Sequence, residues 1–221
     1  MFETIDLGTF EKRTGLRAPD NGAWQRVVGI VSLRDLVSIE RIELMNDEYL
    51  TRLLQGVTLV GEPGARPYEG CKIRRMRIDP EMVSVGQRFV EKEKLLNLQT
   101  ALFDIFHRTG ATKGFAKKCA MVILGHVKSG DLAMAHYLPP IIERHGEMHG
   151  LLDGVHRSFT AMRTGTTIEA IRISNVTAPF PCGFGKWRDV RMVAEKPPKP
   201  ERFHDLKPEL FRDLKYIGID G

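Results

Sequence analysis

A chain of 221 residues and 25.0 kDa has room for one full domain with additions, or for two small ones. Its 42% hydrophobic content, 28% charged content and mean hydropathy of −0.22 exclude a disordered, collagen-like or membrane-spanning chain as a whole, and no apolar run approaches the roughly 20 residues of a membrane helix. The net charge of +5 and pI near 9.2 favour an anionic partner, with the excess confined to the middle: −3 over residues 1–70, +7 over 71–195 and +1 over 196–221.

Glu3 and Asp6 stand where a secretory signal would need a basic start and an apolar run, so a cytoplasmic protein without membrane contact is expected. Turn residues crowd the first twenty positions, after which Val27 to Leu33 reads as a short strand. From Ser38 to Leu54 apolar residues recur at steps of three and four, the pattern of one amphipathic helix. The Gly61-Glu62-Pro63-Gly64-Ala65-Arg66-Pro67 loop then marks a boundary, giving an N-terminal elaboration over 1–70. Lys72 to Ile78 alternates as a strand with a basic flank, stopped by Asp79-Pro80. Helices are predicted over Glu93 to Arg108 and over Thr112 to Lys128. Leu138 to Glu143 is a short strand, His145-Gly146 a turn, and Met148 to Leu152 the return strand. His156 to Arg163 is helical and Thr167 to Ile173 a closing strand, so 71–195 forms one mixed α/β (α+β) domain. Lys196-Pro197-Pro198-Lys199-Pro200 is a stiff linker, and residues 196–221 are a Pro-rich tail in which Phe203-His204-Asp205-Leu206-Lys207 is echoed by Phe211-Arg212-Asp213-Leu214-Lys215.

The segment Asp153-Gly154-Val155-His156-Arg157 carries the most chemistry, since a strand, a glycine turn and a helix start bring together unpaired N–H groups, a partial positive charge and side-chain donors. A phosphate fits there, with Asp153 able to hold a divalent metal or take a proton. A purely local role fits as well, with Asp153 capping the helix and Arg157 on a surface carboxylate. Cys71, Cys119 and Cys182 are too far apart for a disulfide framework or a CxxC zinc site. His136, His145, His149 and His156 lie close in sequence, but no carboxylate or cysteine completes a metal-ligand spacing. Lys72, Arg74, Arg75 and Arg77 either track a nucleic-acid backbone, extended by Lys113, Lys117 and Lys118, or protect a solvated strand edge. Phe180 to Arg188 is a Gly- and aromatic-rich loop, which reads as a packed Ω-loop or as a cover that stacks a base.

Asp153-Gly154-Val155-His156-Arg157 with Ala161 resembles the D-G-x-H-R motif of the ParB/sulfiredoxin-like superfamily, in which this turn binds nucleotide phosphates. Arg77 to Glu81 and Gln87-Arg88-Phe89-Val90 are similar to its opening strand and loop, Pro139-Pro140-Ile141-Ile142 to its "PPI" strand, and Ile168 to Ile173 to its closing strand. Val155 stands where sulfiredoxins carry their catalytic cysteine, which argues against sulfinic acid reduction. Val155 and His156 depart from the glycine-glutamate-arginine-arginine box of the partition proteins, and their helix-turn-helix is not expected in the Pro-rich tail after Val193. The DGQHR branch and the free-serine kinases remain, and the helix over Thr112 to Lys128 leans toward the former.

The resemblance therefore implies a ParB/sulfiredoxin-like domain with an N-terminal strand-helix extension that binds ATP or another nucleoside triphosphate with Mg2+. It implies hydrolysis or phosphate transfer in a DNA-linked process. Asp153 and His156 are the expected catalytic residues, and Gln87, Arg88, Gly154, His156, Arg157 and Ser158 the nucleotide contacts. Asp153 is also the expected metal ligand, and Lys72, Arg74, Arg75 and Arg77 the nucleic-acid contacts. A small-metabolite kinase and a non-catalytic nucleotide-sensing regulator are the alternatives. A nucleotide, DNA and a second copy of the chain are the candidate partners.

Overall fold

The computed structural model describes residues 4–16, 26–96 and 120–219, which form a mixed α/β protein of two compact units. The first is built from the described residues of Met1–Gly70, Cys119–Leu138 and Arg212–Gly221, the second from those of Cys71–Lys118 and Pro139–Phe211. Among the described residues no helix is long and apolar enough to cross a membrane.

In the first unit, helix α1 (Leu7–Thr14) is capped by Asp6, whose carboxylate accepts the Thr9 N–H. Strand β1 (Leu36–Leu44) is followed by α2 (Asp47–Gln55), so the single helix expected over Ser38 to Leu54 is a strand and a short helix. The cause is visible in the register. Two irregularities in the pairing of β1, between Leu36 and Ser38 and between Ile39 and Arg41, insert extra residues and turn a period of two into steps of three. Asn46 then starts α2, its side chain accepting the Tyr49 N–H at 2.7 Å.

After β2 (Lys72–Ile78), β3 (Ser84–Val85), β4 (Phe89–Glu91) and the start of α3 (92–96), the chain reaches β5 (Met121–Val127) and β6 (Leu132–Tyr137). The helix expected over Thr112 to Lys128 is thus a strand from Met121 onward, and its earlier residues lie outside the described ones, as does the helix expected from Glu93 beyond Leu96. β5 is central in the antiparallel sheet β1-β5-β6, and Met121 to Leu124 are buried on both faces. A strand of that kind has no period of two, so its apolar run resembles a buried helix. Val27 to Leu33, expected as a strand, runs beside β6 through an isolated bridge at Ile30 without forming a regular strand.

Residues 212–219 thread into this unit. Arg13 donates to the Asp213 carboxylate through both Nη1 and Nη2 at 3.0 Å and to Thr58 Oγ1 at 2.8 Å. The Tyr216 hydroxyl donates to the Leu53 carbonyl. His136 Nδ1 donates to the Ile217 carbonyl at 3.0 Å, its Nε2 accepts from the Tyr49 hydroxyl at 3.2 Å, and its ring stacks on Phe10.

The second unit holds a five-stranded sheet, β2-β9-β7-β8-β3, with β7 (Ile141–His145), β8 (Met148–Asp153) and β9 (Ile168–Ser174). β9 is antiparallel to β2 and parallel to β7, and the β7–β8 hairpin turns at Gly146 with φ +60°. Helix α4 (Val155–Arg163) follows β8, and β4 pairs in parallel with β10 (Arg191–Val193) in a separate ribbon. One sheet face carries Ile78, Ile142, Leu151, Ile168 and Ala170, packed with Val155 and Phe159 of α4 and with Trp187. Trp187 Nε1 donates to the Pro80 carbonyl at 2.6 Å, so the loop from Phe180 is folded down as part of the core. Residues 196–211 belong to this unit: a 3-10 turn, Lys199–Arg202, interrupts the expected linker, and the Phe203 and Phe211 rings of the two echoed segments meet edge to face at 5.2 Å.

Burial of His136 pulls its pKa down to about 4, against a smaller upward effect of the Ile217 carbonyl. Because the folded value lies below the unfolded 6.5, the stability that depends on the neutral ring is complete above pH 6.5 and is lost as pH falls toward 4, by at most about 3 kcal/mol. The urea midpoint of the wild type should therefore fall more steeply from pH 6.5 to 4 than that of His136→Asn, which keeps a donor toward Ile217 but does not titrate; parallel curves would refute the coupling.

Candidate functional site

The end of β8, the residue after it and the start of α4 make one rigid turn. Gly154 has φ +90°, and a Cβ there would meet Pro140 at 2.8 Å, so both the backbone conformation and the space demand glycine. Gly154 occupies the N-cap position expected for Asp153, and as a glycine it supplies no side-chain cap to α4. The positive end of the helix therefore begins without an N-cap side chain.

Two expected site residues are tied down by neighbours. Arg157 is 9% exposed, and its Nη2 donates to Asp153 Oδ2 at 3.0 Å, which braces the helix against the strand that precedes it. His156 Nε2 accepts the main-chain N–H of Glu91 at 3.0 Å. An imidazole that accepts at Nε2 carries its proton on Nδ1, so His156 is neutral and offers an N–H donor in place of a positive charge. Its pKa is lowered to about 4, first by burial, then by Lys94, with smaller contributions from Lys196 and Arg157 and an opposing one from Glu91.

Cations from three further segments converge on the same place. Lys94, on the described turn of α3, lies 3.4 Å from Glu91 Oε1, and Lys196 lies 3.9 Å from the same oxygen. Lys196 is pushed down to about 8, first by burial, then by Lys94 and Arg202, with Glu91 opposing. The Arg202 segment is anchored where the Arg88 N–H donates to its carbonyl at 2.7 Å, and Arg202 Nε is buried without a hydrogen-bond partner. Two lysines thus share one carboxylate, with Arg202 acting on Lys196, beside the start of α4, a grouping that favours a multiply charged anion.

Of the sequence-predicted residues, the structure brings Asp153, Gly154, His156, Arg157 and Ser158 to this turn, Ser158 being buried. Gln87 bridges the main chain of Phe203, and the Arg88 guanidinium lies over the Phe89 ring, so both belong to the loop that anchors residues 202–203. Asp153 is held by Arg157, and among the described residues no three His, Cys, Asp or Glu side chains form a metal-binding group. His145 is taken up by the buried Glu143 at 2.8 Å, with the stacked pair Phe180 and Phe184 alongside. Cys71 and Cys182 are buried, the Cys71 Sγ donating to the Asn175 carbonyl at 3.3 Å, while Cys119, Lys113, Lys117 and Lys118 lie outside the described residues. The basic run of β2 is divided by the pleat: Lys72 and Arg74 share the face of Met76 and Ile78, and Arg75 and Arg77 point the other way. Sequence reasoning missed Glu91, Lys94, Lys196 and Arg202. The i, i+3 spacing of Glu91 and Lys94 was a local signal, whereas nothing local ties Lys196 or Arg202 to them.

Gly154→Ala should destabilise the second unit by about 1–3 kcal/mol, since it adds a positive-φ penalty to the Pro140 clash. Urea unfolding checks this, and a loss near zero would mean that the turn relaxes. No family model, no curated protein and no solved structure matches the chain.

Proposed function

We propose that the second unit binds a nucleoside triphosphate by its phosphates at the start of α4, as the ParB/sulfiredoxin-like resemblance implies, and hydrolyses it or transfers its terminal phosphoryl group in a DNA-linked process. The observation that carries this reading is the meeting of Lys94 and Lys196 on the single carboxylate of Glu91, with Arg202 close enough to act on Lys196, beside the start of α4. In it, the first-turn N–H groups of α4 and His156 Nδ1–H donate to phosphate oxygens, and the two lysines and Arg202 neutralise their charge. Arg157 positions the turn through Asp153. Phosphoryl transfer asks mainly for position and for fixed charge around the equatorial oxygens, which such a set supplies. Magnesium on a nucleotide needs only one or two protein carboxylates and otherwise uses phosphate and water; Asp153 is the carboxylate of this turn, and the ion would add charge neutralisation.

One observation favours a second reading, a nucleotide sensor without turnover. Asp153 and His156, the two side chains expected to move protons, are both engaged, by Arg157 and by the Glu91 N–H.

Titration calorimetry with ATP, CTP and GTP in the presence of magnesium tests the binding. Lys94→Met combined with Lys196→Met should weaken it at least tenfold, and no heat with any nucleotide would refute the reading. Affinity should also fall between pH 7 and 9 as Lys196 loses its proton, with a flatter profile in Lys196→Met. Phosphate release, or its absence despite tight binding, separates the enzyme from the sensor.

A further inference from the structure

The apolar face of the five-stranded sheet does not end with the core. Beyond Met76, Ile142, Ala170 and Leu151, the same strands continue on the same side, at a period of two, with Lys72 and Arg74 on β2, Arg172 on β9, Arg144 on β7 and His149 on β8. Arg74 stands directly opposite Arg172, Arg172 opposite Ile142, and Arg144 opposite His149. Like charges placed directly across a ladder oppose each other, so the fold alone gains nothing from this arrangement. The acidic residues of these strands do not relieve it: Glu143 and Glu169 fall at odd positions and point to the other face. Glu147, in the hairpin turn, pairs with Arg144 at 3.1 Å and keeps 94% of its side chain exposed. Arg172 Nε is buried without a hydrogen-bond partner. The crowding is felt by His149, whose pKa is lowered first by burial, then by Arg172 and Arg144.

The geometry points to this cross-strand patch as a docking surface for the phosphate backbone of double-stranded nucleic acid. Four strands at about 4.8 Å spacing carry the charges across about 14 Å, the scale of several phosphates on a duplex with one charge per ~1.7 Å of axis. Three of the five residues are arginines, whose planar fork grips phosphate oxygens in pairs. None is Phe, Tyr or Trp, so the patch lacks the broad stacking platform that selects single strands. It has no residue in common with the turn at Gly154, and its standing does not depend on the nucleotide reading.

Fluorescence anisotropy with a 20-base-pair duplex of arbitrary sequence, from 50 to 200 mM salt, tests it. If about four phosphates are met, log K should fall against log salt with a slope of about −3.6. The triple variant Arg74→Gln, Arg144→Gln, Arg172→Gln should lower affinity at least tenfold and flatten the slope by about 2.7. Lysine at the same three positions should restore the slope, and Arg77→Gln, on the opposite face of β2, should change neither. A urea midpoint that does not fall, and an unaltered nucleotide titration, in each variant show that the unit is intact. Absence of duplex binding, equal binding by the glutamine triple variant, tighter binding of a single strand, or equal competition by an acidic polypeptide or anionic vesicles would overturn the proposal.

Discussion

The hydrogen bond from the Glu91 N–H to His156 Nε2 is the constraint on which the candidate site hangs. It joins the β4–β10 ribbon, which brings Glu91 with it, to the helix that follows the glycine turn. Only an imidazole with a free lone pair can accept it, so the ring must be neutral for the parts to hold together. Burial first, and then the cations around it, keep that neutral state the stable one over the physiological range, and the same cations make the place attractive to an anion. Architecture and ligand preference thus draw on one electrostatic fact.

The second unit uses a single sheet face in two ways. Near α4 it is apolar and covered, with Ile78, Ile142, Ile168 and Leu151 against Phe159 and Trp187. Toward the hairpin turn it becomes basic. Two groups of positive charge stand in this unit, and in both the like charges lie nearer to one another than stability alone would favour.

Much of the second unit was legible because its signals are local. β2 and β9 alternate, the hairpin has its Gly146, and Gly154 sits between a strand and a helix. The first unit was harder to read because its strands break the rules that make strands visible. β1 loses its period at two irregularities, and β5 is buried on both sides. The site was half legible. The turn from Asp153 to Ser158 is one contiguous segment, whereas Lys94, Lys196 and Arg202 meet only in space. In the basic run of β2 the pleat sends alternate residues to opposite faces, so Lys72 and Arg74 find their companions on β9 and β7.

The chain leaves the first unit after Gly70 and again after Leu138, and comes back for the segment that Arg13, Leu53 and His136 hold. During synthesis the ribosome releases residues in order, and domains tend to fold as their last required piece emerges. The second unit has all of its described parts once Phe211 is out, while the first still lacks the partners of Arg13 and His136. The unit that begins first is therefore completed last, and until then its unfilled seams are the stretch of this molecule most in need of a chaperone.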